Sequence, residues 1–220
     1  MELRRLAADV WLHVTRDASP AGVPANGLLV DTEAGAVLID TGWTEPQTEA
    51  LMSHAARMAH PLAAVIVTHA HVDRVGGAAV ALRHGVPVFA APATIERCRA
   101  GGLPLPDRAL DPPHTLRFGG RSFEIFYPGP GHSPDNVVVW LAHERILFAG
   151  CFAKAASASD LGHVGDADLG AWPASLQRTR QRYPRPSQIV PGHGSPGGDP
   201  IARTLQLLLQ AAAETSARKP

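Results

Sequence analysis

The stretch Thr68-His69-Ala70-His71-Val72-Asp73-Arg74-Val75-Gly76-Gly77 follows the apolar run 63–67 and precedes the small-residue segment 78–82. This order predicts a strand, then a metal-binding loop, then a helix. Because side chains alternate along a strand, the imidazoles of His69 and His71 can point into the same cleft. The chain turns after His71, so the carboxylate of Asp73 can reach a neighbouring position. One metal ion could therefore bind the two histidines, and a second ion the aspartate.

The composition favours one sizeable core and a small-molecule or neutral ligand. The chain has 220 residues, with 20 basic and 20 acidic side chains and a formal net charge of zero at pH 7. Balanced charge provides no field that would recruit nucleic acid or an anionic membrane surface. Two cysteines are too few for a disulfide scaffold. No apolar run approaches the roughly 20 residues that span a bilayer, and residues 1–5 do not lead into the apolar core of a signal peptide.

Hydrophobic patterning predicts the same succession of strands and helices in both halves of the chain. The predicted strands cover residues 3–7, 10–15, 28–31, 36–41, 63–67, 86–90, 115–118, 121–127, 137–141, 146–149 and 188–190. The predicted helices cover about 45–59, a segment that ends at 84, and residues 92–100, 167–182 and 200–217. A loop is expected over 17–26, and a connector rich in proline and glycine over 101–114. We therefore expect an α/β (α+β) fold, a four-layer αββα sandwich, in a single domain 1–220 with two similar halves, about 1–100 and 115–220.

Three further stretches place a possible ligand after an apolar strand and a glycine. They are Pro128-Gly129-Pro130-Gly131-His132-Ser133, Phe148-Ala149-Gly150-Cys151-Phe152-Ala153-Lys154 and Ile189-Val190-Pro191-Gly192-His193-Gly194. Taken alone, a histidine beside glycine is usually an ordinary loop residue, and a cysteine at a strand end is usually a small buried hydrophobe. Four such stretches in one chain are far less expected by chance, which favours a shared metal centre.

The six side chains divide into two predicted zinc sites. The first comprises His69, His71 and His132. Three histidines with an open fourth position are the arrangement that generates hydroxide near neutral pH. The second comprises Asp73, Cys151 and His193. Its thiolate favours zinc over magnesium or manganese, and two ions about 3.5–4 Å apart would let one hydroxide attack a carbonyl.

In their order and separations, the motifs H-x-H-x-D-R-x-G-G, G-x-x-H-S-x-D-N, G-C-x-x-K and P-G-H-G resemble the metallo-β-lactamase superfamily. The likeness extends from Val10-Trp11 through 38–43 to the final helix. Most superfamily members have His at the position of Arg74 and Asp at the position of Cys151. The presence of Arg74 and Cys151 narrows the resemblance to class B β-lactamases of the first subclass. The resemblance implies the metallo-β-lactamase fold and two Zn²⁺ ions per chain. It also implies that a metal-bound hydroxide hydrolyses the β-lactam amide of penicillins, cephalosporins and carbapenems.

The resemblance further implies roles for side chains around the predicted zinc sites. Asp73, besides binding metal, and Lys154 would be catalytic, with Lys154 also binding the substrate carboxylate. Arg74 would neutralise the thiolate and carboxylate of the second site, and Asp40 would support the site without binding metal. The ordinary alternatives are a solvated lysine for Lys154, a surface arginine for Arg74 and a strand-end cap for Asp40.

Two stretches depart from the family pattern. Many relatives have Asn within a G-N-x-G-D-A-D stretch, whereas this chain has His163 in the corresponding segment 161–168. His163 could donate a hydrogen bond, so it is predicted to be catalytic and substrate-binding, with an altered substrate preference. The loop 17–26 corresponds to the flap over bound substrate. It offers Val23 but no aromatic residue, which predicts weak hydrophobic clamping and high Michaelis constants.

The remaining expectations concern the setting of the protein and the rival functions. The resemblance implies a periplasmic monomer that confers antibiotic resistance and has no nucleic-acid or membrane partner. A thioesterase or lactonase of the same fold is one alternative, against which Cys151 and Lys154 argue. A non-catalytic zinc-binding module is the other, and it would need neither an open coordination position nor Lys154.

Overall fold

Two mixed β-sheets form the centre of the protein. In this computed structural model, residues 1–58 and 60–217 are described. The first sheet contains, in spatial order, β1 (Glu2–Ala7), β2 (Val10–Arg16), β3 (Pro24–Val30), β4 (Ala36–Ile39), β5 (Leu62–Val67), β6 (Val88–Ala90) and β7 (Arg108–Ala109). The second contains β8 (His114–Phe118), β9 (Arg121–Phe126), β10 (Val138–Leu141), β11 (Ile146–Gly150) and β12 (Gln188–Pro191). Strands β4 to β7 are parallel neighbours, and β12 runs parallel to β11.

Helices cover the outer face of each sheet and complete four layers. They are α1 (Glu45–Arg57), α2 (Val72–Val75), α3 (Ala78–Arg83), α4 (Pro92–Gly101), α5 (Trp172–Arg182) and α6 (Pro200–Ala217). Leu28, Ile39 and Phe148 belong to the apolar cluster between the sheets. A second cluster packs with α1, α3 and α4, and a third with α5 and α6. The predicted αββα sandwich is confirmed, while its description as one domain with two similar halves stays a prediction.

The predicted ligands, and the supporting residue Asp40, follow strands whose carboxyl ends lie at one edge of each sheet. In the first sheet β4 leads to Asp40, and the parallel strand β5 leads to His69. In the second sheet β9, β11 and β12 run in one direction, because β9 and β11 are both antiparallel to β10. Two backbone hydrogen bonds join the sheets there, from the Asn26 N–H to the Gly192 carbonyl at 2.8 Å and from the Val137 N–H to the Thr68 carbonyl at 3.0 Å.

The predicted strands and helices recur in the predicted order, but the single helix predicted to end at 84 is divided into α2 and α3, and several boundaries differ. The loop predicted over 17–26 is shorter, because β3 begins at Pro24, where the long antiparallel pairing with β2 starts. The helix predicted from 167 begins at Trp172, since the Asp168 side chain accepts the Ala171 N–H at 2.9 Å and holds a turn instead. Strand β7 was not predicted within the connector 101–114. Helix α1 is described to Arg57, and its predicted end at residue 59 lies outside the described residues.

His13 on β2 is the buried imidazole of the first sheet that lies outside the predicted ligand set. Its Nε2–H donates to the Asp40 carbonyl at 3.1 Å, and its Nδ1 has no hydrogen-bond partner among the described residues. Burial lowers the pKa of His13 to about 4. The folded protein therefore keeps this imidazole neutral at pH values where the unfolded chain binds a proton.

The low pKa of His13 should contribute to the pH dependence of the protein's stability. Between pH 6.5 and 4 the unfolded state binds more protons at this side chain, so the free energy of unfolding falls as the pH falls. We expect the metal-free wild type to lose about 2 kcal/mol more than His13→Gln between pH 6.5 and 4.5, at about 1.4 kcal/mol per pKa unit. Urea unfolding of both proteins at each pH measures this difference. Equal losses would mean that His13 titrates normally in the fold.

Candidate metal centre

Three imidazole nitrogens meet at the sheet edge. The Nε2 of His69 and the Nε2 of His132 each lie 3.1 Å from the Nδ1 of His71. The three rings stand nearly perpendicular to one another, with interplanar angles of 73°, 84° and 90°. Tetrahedral zinc with Zn–N bonds of about 2.0–2.1 Å requires neighbouring nitrogens about 3.3 Å apart. The observed spacing fits a single zinc ion held by all three rings.

A second triad lies beside the first. The Oδ2 of Asp73 and the Sγ of Cys151 each lie 3.2 Å from the Nε2 of His193, and they are 3.6 Å from each other. The two triads are adjacent, because ligand atoms of His69, His132 and Cys151 also lie within 4.8 Å of one another. A carboxylate, a thiol and an imidazole are a donor set that zinc accepts.

The ring nitrogens that face away from the centre are hydrogen-bonded in His69, His71 and His193, whereas the Nδ1 of the buried His132 has no hydrogen-bond partner among the described residues. The Nε2–H of His71 donates to Asp166 Oδ2 at 2.9 Å, and the Nδ1–H of His193 donates to the Pro24 carbonyl at 2.6 Å. The Nδ1 of His69 lies 3.2 Å from the Thr68 hydroxyl, which itself donates to Asp40 Oδ2 at 2.9 Å. Such bonds fix the tautomer and orientation of metal-binding histidines. The hydrogen bonds of these outer ring nitrogens therefore also fit a metal centre.

The electrostatics of the second triad attract a cation. Burial alone would raise the pKa of Asp73, but Arg74 and the hydrogen bond from His193 outweigh burial and hold that pKa well below its usual range. Burial likewise opposes the charge of His193, yet Cys151 and Asp73 raise its pKa to about 9. In the metal-free protein a protonated imidazole thus faces the Asp73 carboxylate, in the region that a metal cation would occupy.

Arg74 is fully buried behind the second triad, so it is not the surface arginine of the ordinary alternative. Its Nη2 donates to Asp73 Oδ2 at 2.6 Å and to the Gly192 carbonyl at 3.0 Å. Its Nη1 donates to the Asn26 carbonyl at 2.6 Å and to Asp40 Oδ2 at 3.2 Å. Burial opposes its charge, but the neighbouring anions outweigh burial and raise the pKa of Arg74. One guanidinium therefore joins three of the loops that form the centre.

Asp40 combines the two roles considered for it. Its Oδ1 accepts the Thr68 N–H at 2.8 Å, which caps the end of β5, and its Oδ2 accepts Arg74. The backbone φ of Asp40 is 59°, in the left-handed region that residues other than glycine rarely adopt. Such a conformation costs of order 1–3 kcal/mol and persists where the surroundings impose it. Here the contacts with Thr68 and Arg74 offset that cost.

Helix α5 holds the loop that carries His132. The hydroxyl of Ser175 donates to the Pro130 carbonyl at 2.7 Å, and the Nε–H of Arg178 donates to the Pro128 carbonyl at 2.6 Å. Gly129 has a φ of 112°, and a side chain there would collide with Arg178. The Pro-Gly segment before His132 is thus fixed from the side of the helix.

Five of the six predicted ligands, all but the buried His69, line a cavity of about 620 Å³. Val23, Lys154 and His163 line the same cavity. Val23 is 39% exposed at its rim, and the ring centroid of His163 lies 5.7 Å from that of His71. Lys154 is 8% exposed, and its Nζ lies 5.5 Å from the centre of the Trp172 ring. Within the described part of the chain, no carboxylate forms an ion pair with Lys154. The structure therefore brings the predicted ligands and substrate-contacting residues to one cavity, with Asp40 and Arg74 behind it.

Two carboxylates that hydrogen-bond to the metal-binding loop were not assigned a role from the sequence. Asp166 binds His71, and the buried Asp135 accepts the Ala70 N–H at 2.9 Å. Asp135 lies inside the G-x-x-H-S-x-D-N motif, so its position was a usable signal. Asp166 lies in the stretch 161–168, where only His163 was considered. The Asp166 contact spans 95 residues and had no local pattern that could reveal it.

Comparisons with known proteins agree with this geometry. Residues 20–193 match the family model described as the metallo-beta-lactamase superfamily. The chain is 36% identical over 211 residues to the "Metallo-beta-lactamase type 2" of Bacillus cereus, which covers 94% of this chain and 82% of that protein. It is 37% identical over 196 residues to the protein of the same description from Bacteroides fragilis, covering 88% and 79% respectively.

Solved structures give the same result at the level of the whole fold. The metallo-beta-lactamase from Pontibacter korlensis superposes with a TM-score of 0.91 at 38% identity, covering 94% of this chain and 98% of that one. The DIM-1 metallo-beta-lactamase superposes with a TM-score of 0.90 at 30% identity, covering 96% and 97%. These similarities extend over nearly the full length of both partners.

Proposed function

The chain belongs to the metallo-beta-lactamase superfamily, and from this premise we propose that it is a zinc-dependent β-lactamase. It hydrolyses the four-membered amide of β-lactam antibiotics. The observation that carries the proposal is the pair of adjacent triads, one of three imidazoles and one of carboxylate, thiol and imidazole, in a cavity that also contains Lys154.

We assign His69, His71 and His132 to one zinc ion, and Asp73, Cys151 and His193 to a second. Zinc at such sites supplies a nucleophilic hydroxide near neutral pH and polarises a carbonyl. The chain's own residues do the rest. Arg74 balances the charge of Asp73 and Cys151, and Asp40 holds Arg74 and β5 together. Asp166 and the Pro24 carbonyl keep the ring protons of His71 and His193 on the side away from the cavity.

Lys154 provides the positive charge for the substrate carboxylate. Its ammonium is nearly buried, lies over the Trp172 ring and forms no ion pair with a described carboxylate. Burial lowers the pKa of Lys154, although Asp73 and Asp160 oppose that effect from a longer distance. A carboxylate that enters the cavity would relieve this cost through a charge-assisted hydrogen bond. The hydroxyl of Thr204 accepts the Lys154 backbone N–H at 2.8 Å and fixes the start of the side chain. His163 donates a hydrogen bond to substrate, and Val23 covers it from the flap.

Replacing Lys154 with methionine should raise KM for the substrate while changing kcat little. A hydrogen bond to a charged group is worth about 1.5–3 kcal/mol, so we expect KM for a carbapenem to rise roughly 10- to 100-fold. The kcat should change less than about threefold, because the carboxylate is bound similarly in the ground state and transition state. Lys154→Arg keeps the charge and should restore part of the affinity. An unchanged KM in Lys154→Met would mean that the lysine does not contact substrate.

The finer properties follow the same proposal. The substrates include penicillins, cephalosporins and carbapenems, and the protein acts as a periplasmic monomer that confers antibiotic resistance. Within residues 1–58 and 60–217, no helix has the length and apolarity needed to cross a membrane. The absence of an aromatic residue in 17–26 predicts high KM values for substrates with large apolar groups.

The test couples metal analysis to hydrolysis. One penicillin, one cephalosporin and one carbapenem are offered to the purified protein with added zinc and with a chelator. We expect about two zinc ions per chain and turnover that the chelator abolishes. A simple thioester and a lactone are assayed beside them. Turnover of these without β-lactam hydrolysis would favour the thioesterase or lactonase alternative, and zinc binding without any turnover would favour a non-catalytic module.

A further inference from the structure

Arg97 on α4 lies between two carboxylates behind the first triad. Its Nη2 donates to Asp166 Oδ2 at 2.9 Å, and that same oxygen accepts the Nε2–H of His71 at 2.9 Å. The guanidinium and the imidazole therefore share one carboxylate oxygen. Arg97 and Asp166 are not among the residues that line the cavity, so the contact reaches His71 from the side away from substrate.

The other end of the guanidinium is anchored in the interior. Arg97 Nε lies 3.3 Å from Oδ1 of Asp135, a side chain that is 1% exposed. Neither atom forms a hydrogen bond with a described residue, so this ion pair is what compensates the buried Oδ1. The other oxygen of Asp135 accepts the N–H of Ala70, which lies between His69 and His71. Asp135 is thus a fixed anchor, joined to the backbone of the metal-binding loop.

We propose that Arg97 is a positioning residue for His71, acting through Asp166, an inference that rests on the proposed zinc centre. Asp166 is 40% exposed, and without a second contact its carboxylate could rotate into solvent and release the ring. Arg97 ties that carboxylate to the buried Asp135. The chain Asp135, Arg97, Asp166, His71 fixes the ring plane and leaves the Nδ1 lone pair facing the other two histidines. Partners of this kind typically change metal affinity by about 10- to 100-fold.

The test is zinc affinity rather than activity. Wild type, Arg97→Met and Arg97→Lys compete for zinc against a chromophoric chelator. We expect zinc at the first site to bind about tenfold more weakly in Arg97→Met, since Arg97 acts one step beyond the ligand's direct partner. Arg97→Lys retains the charge but can contact only one of the two carboxylates. Its zinc affinity should therefore lie between those of the wild type and Arg97→Met. Arg99→Met, an exposed arginine on the same helix, should bind zinc as the wild type does.

A double-mutant cycle shows whether the effect passes through Asp166. In an Asp166→Ala background, Arg97→Met should weaken zinc binding by less than about twofold. Thermal unfolding of the metal-free variants identifies any general loss of structure. The proposal is overturned by unchanged zinc affinity in Arg97→Met, or by a full effect that persists in the Asp166→Ala background.

The outcomes separate this inference from the proposed function. If the wild type binds zinc and hydrolyses β-lactams while Arg97→Met binds zinc unchanged, only the role of Arg97 fails. If the cycle gives the expected coupling but no β-lactam is hydrolysed, the role of Arg97 stands and the β-lactamase assignment fails. A wild type that binds no zinc overturns both.

Discussion

Cys151→Ser should remove the second zinc ion and lower kcat/KM for β-lactams by roughly two orders of magnitude. A neutral serine hydroxyl is a poor zinc ligand, so Asp73 and His193 would remain as a two-ligand remnant. Loss of one metal ion forfeits several kcal/mol of transition-state stabilisation, and each 1.4 kcal/mol is about tenfold in rate. The expected zinc content therefore falls from about two per chain to about one.

The second cysteine provides a matched control. Cys98 is fully buried on α4 within the apolar cluster beneath the first sheet, and burial raises the pKa of its thiol to about 11. Cys98→Ser makes the same chemical change away from the centre. It should cost stability, because a buried hydroxyl replaces a thiol, yet keep zinc content and kcat unchanged.

Cobalt substitution distinguishes a ligand from a merely structural cysteine. A thiolate bound to cobalt gives a charge-transfer absorption in the near ultraviolet, which should be present in wild type and Cys98→Ser and absent in Cys151→Ser. If Cys151→Ser retained the full zinc content and the wild-type rate, the sulfur could not be a ligand of the working centre.

The positions of the predicted ligands could be read from the sequence because each one follows a strand. His69 follows β5, Cys151 follows β11 and His193 follows β12, and carboxyl ends of parallel strands gather at one edge. Short spacing also limited the choice, since His69 and His71 alternate with a single residue between them. Local rules therefore predicted that these side chains lie close together without any knowledge of the sheet order.

The supporting contacts could not be read in this way. The bonds from His71 to Asp166 and from His193 to the Pro24 carbonyl join residues 95 and 169 positions apart. Whether Arg74 is a surface residue or a buried one depends on how tightly three loops close around it, which no local pattern encodes. The start of β3 at Pro24 was missed for a related reason, because pairing with β2 overrides the proline and glycine that indicated a loop.

Arg74→Leu should destabilise the protein by about 3–5 kcal/mol, the cost of breaking a buried ion pair by removing one partner. The guanidinium is fully buried, and its loss leaves Asp40 without its counter-charge and Asp73 with His193 as its remaining cationic neighbour. It also removes one donor each from the Asn26 and Gly192 carbonyls. Urea unfolding of the metal-free variants measures this cost.

The exposed ion pair Arg83–Glu45 is the control that shows how much of the stability cost depends on burial of the ion pair. Its atoms lie 2.5 Å apart, but the two side chains are 59% and 42% exposed, so Arg83→Leu should cost less than about 1 kcal/mol of stability.

Arg74→Lys keeps the charge but cannot reach both carboxylates and both carbonyls, and should recover only part of the stability that Arg74→Leu loses. Zinc titration of the same variants should show a weaker second site in Arg74→Leu, because loss of Arg74 raises the pKa of Asp73 and zinc must then displace a proton from this ligand. Equal costs for Arg74→Leu and Arg83→Leu would contradict the role of a buried cation that holds the three loops together.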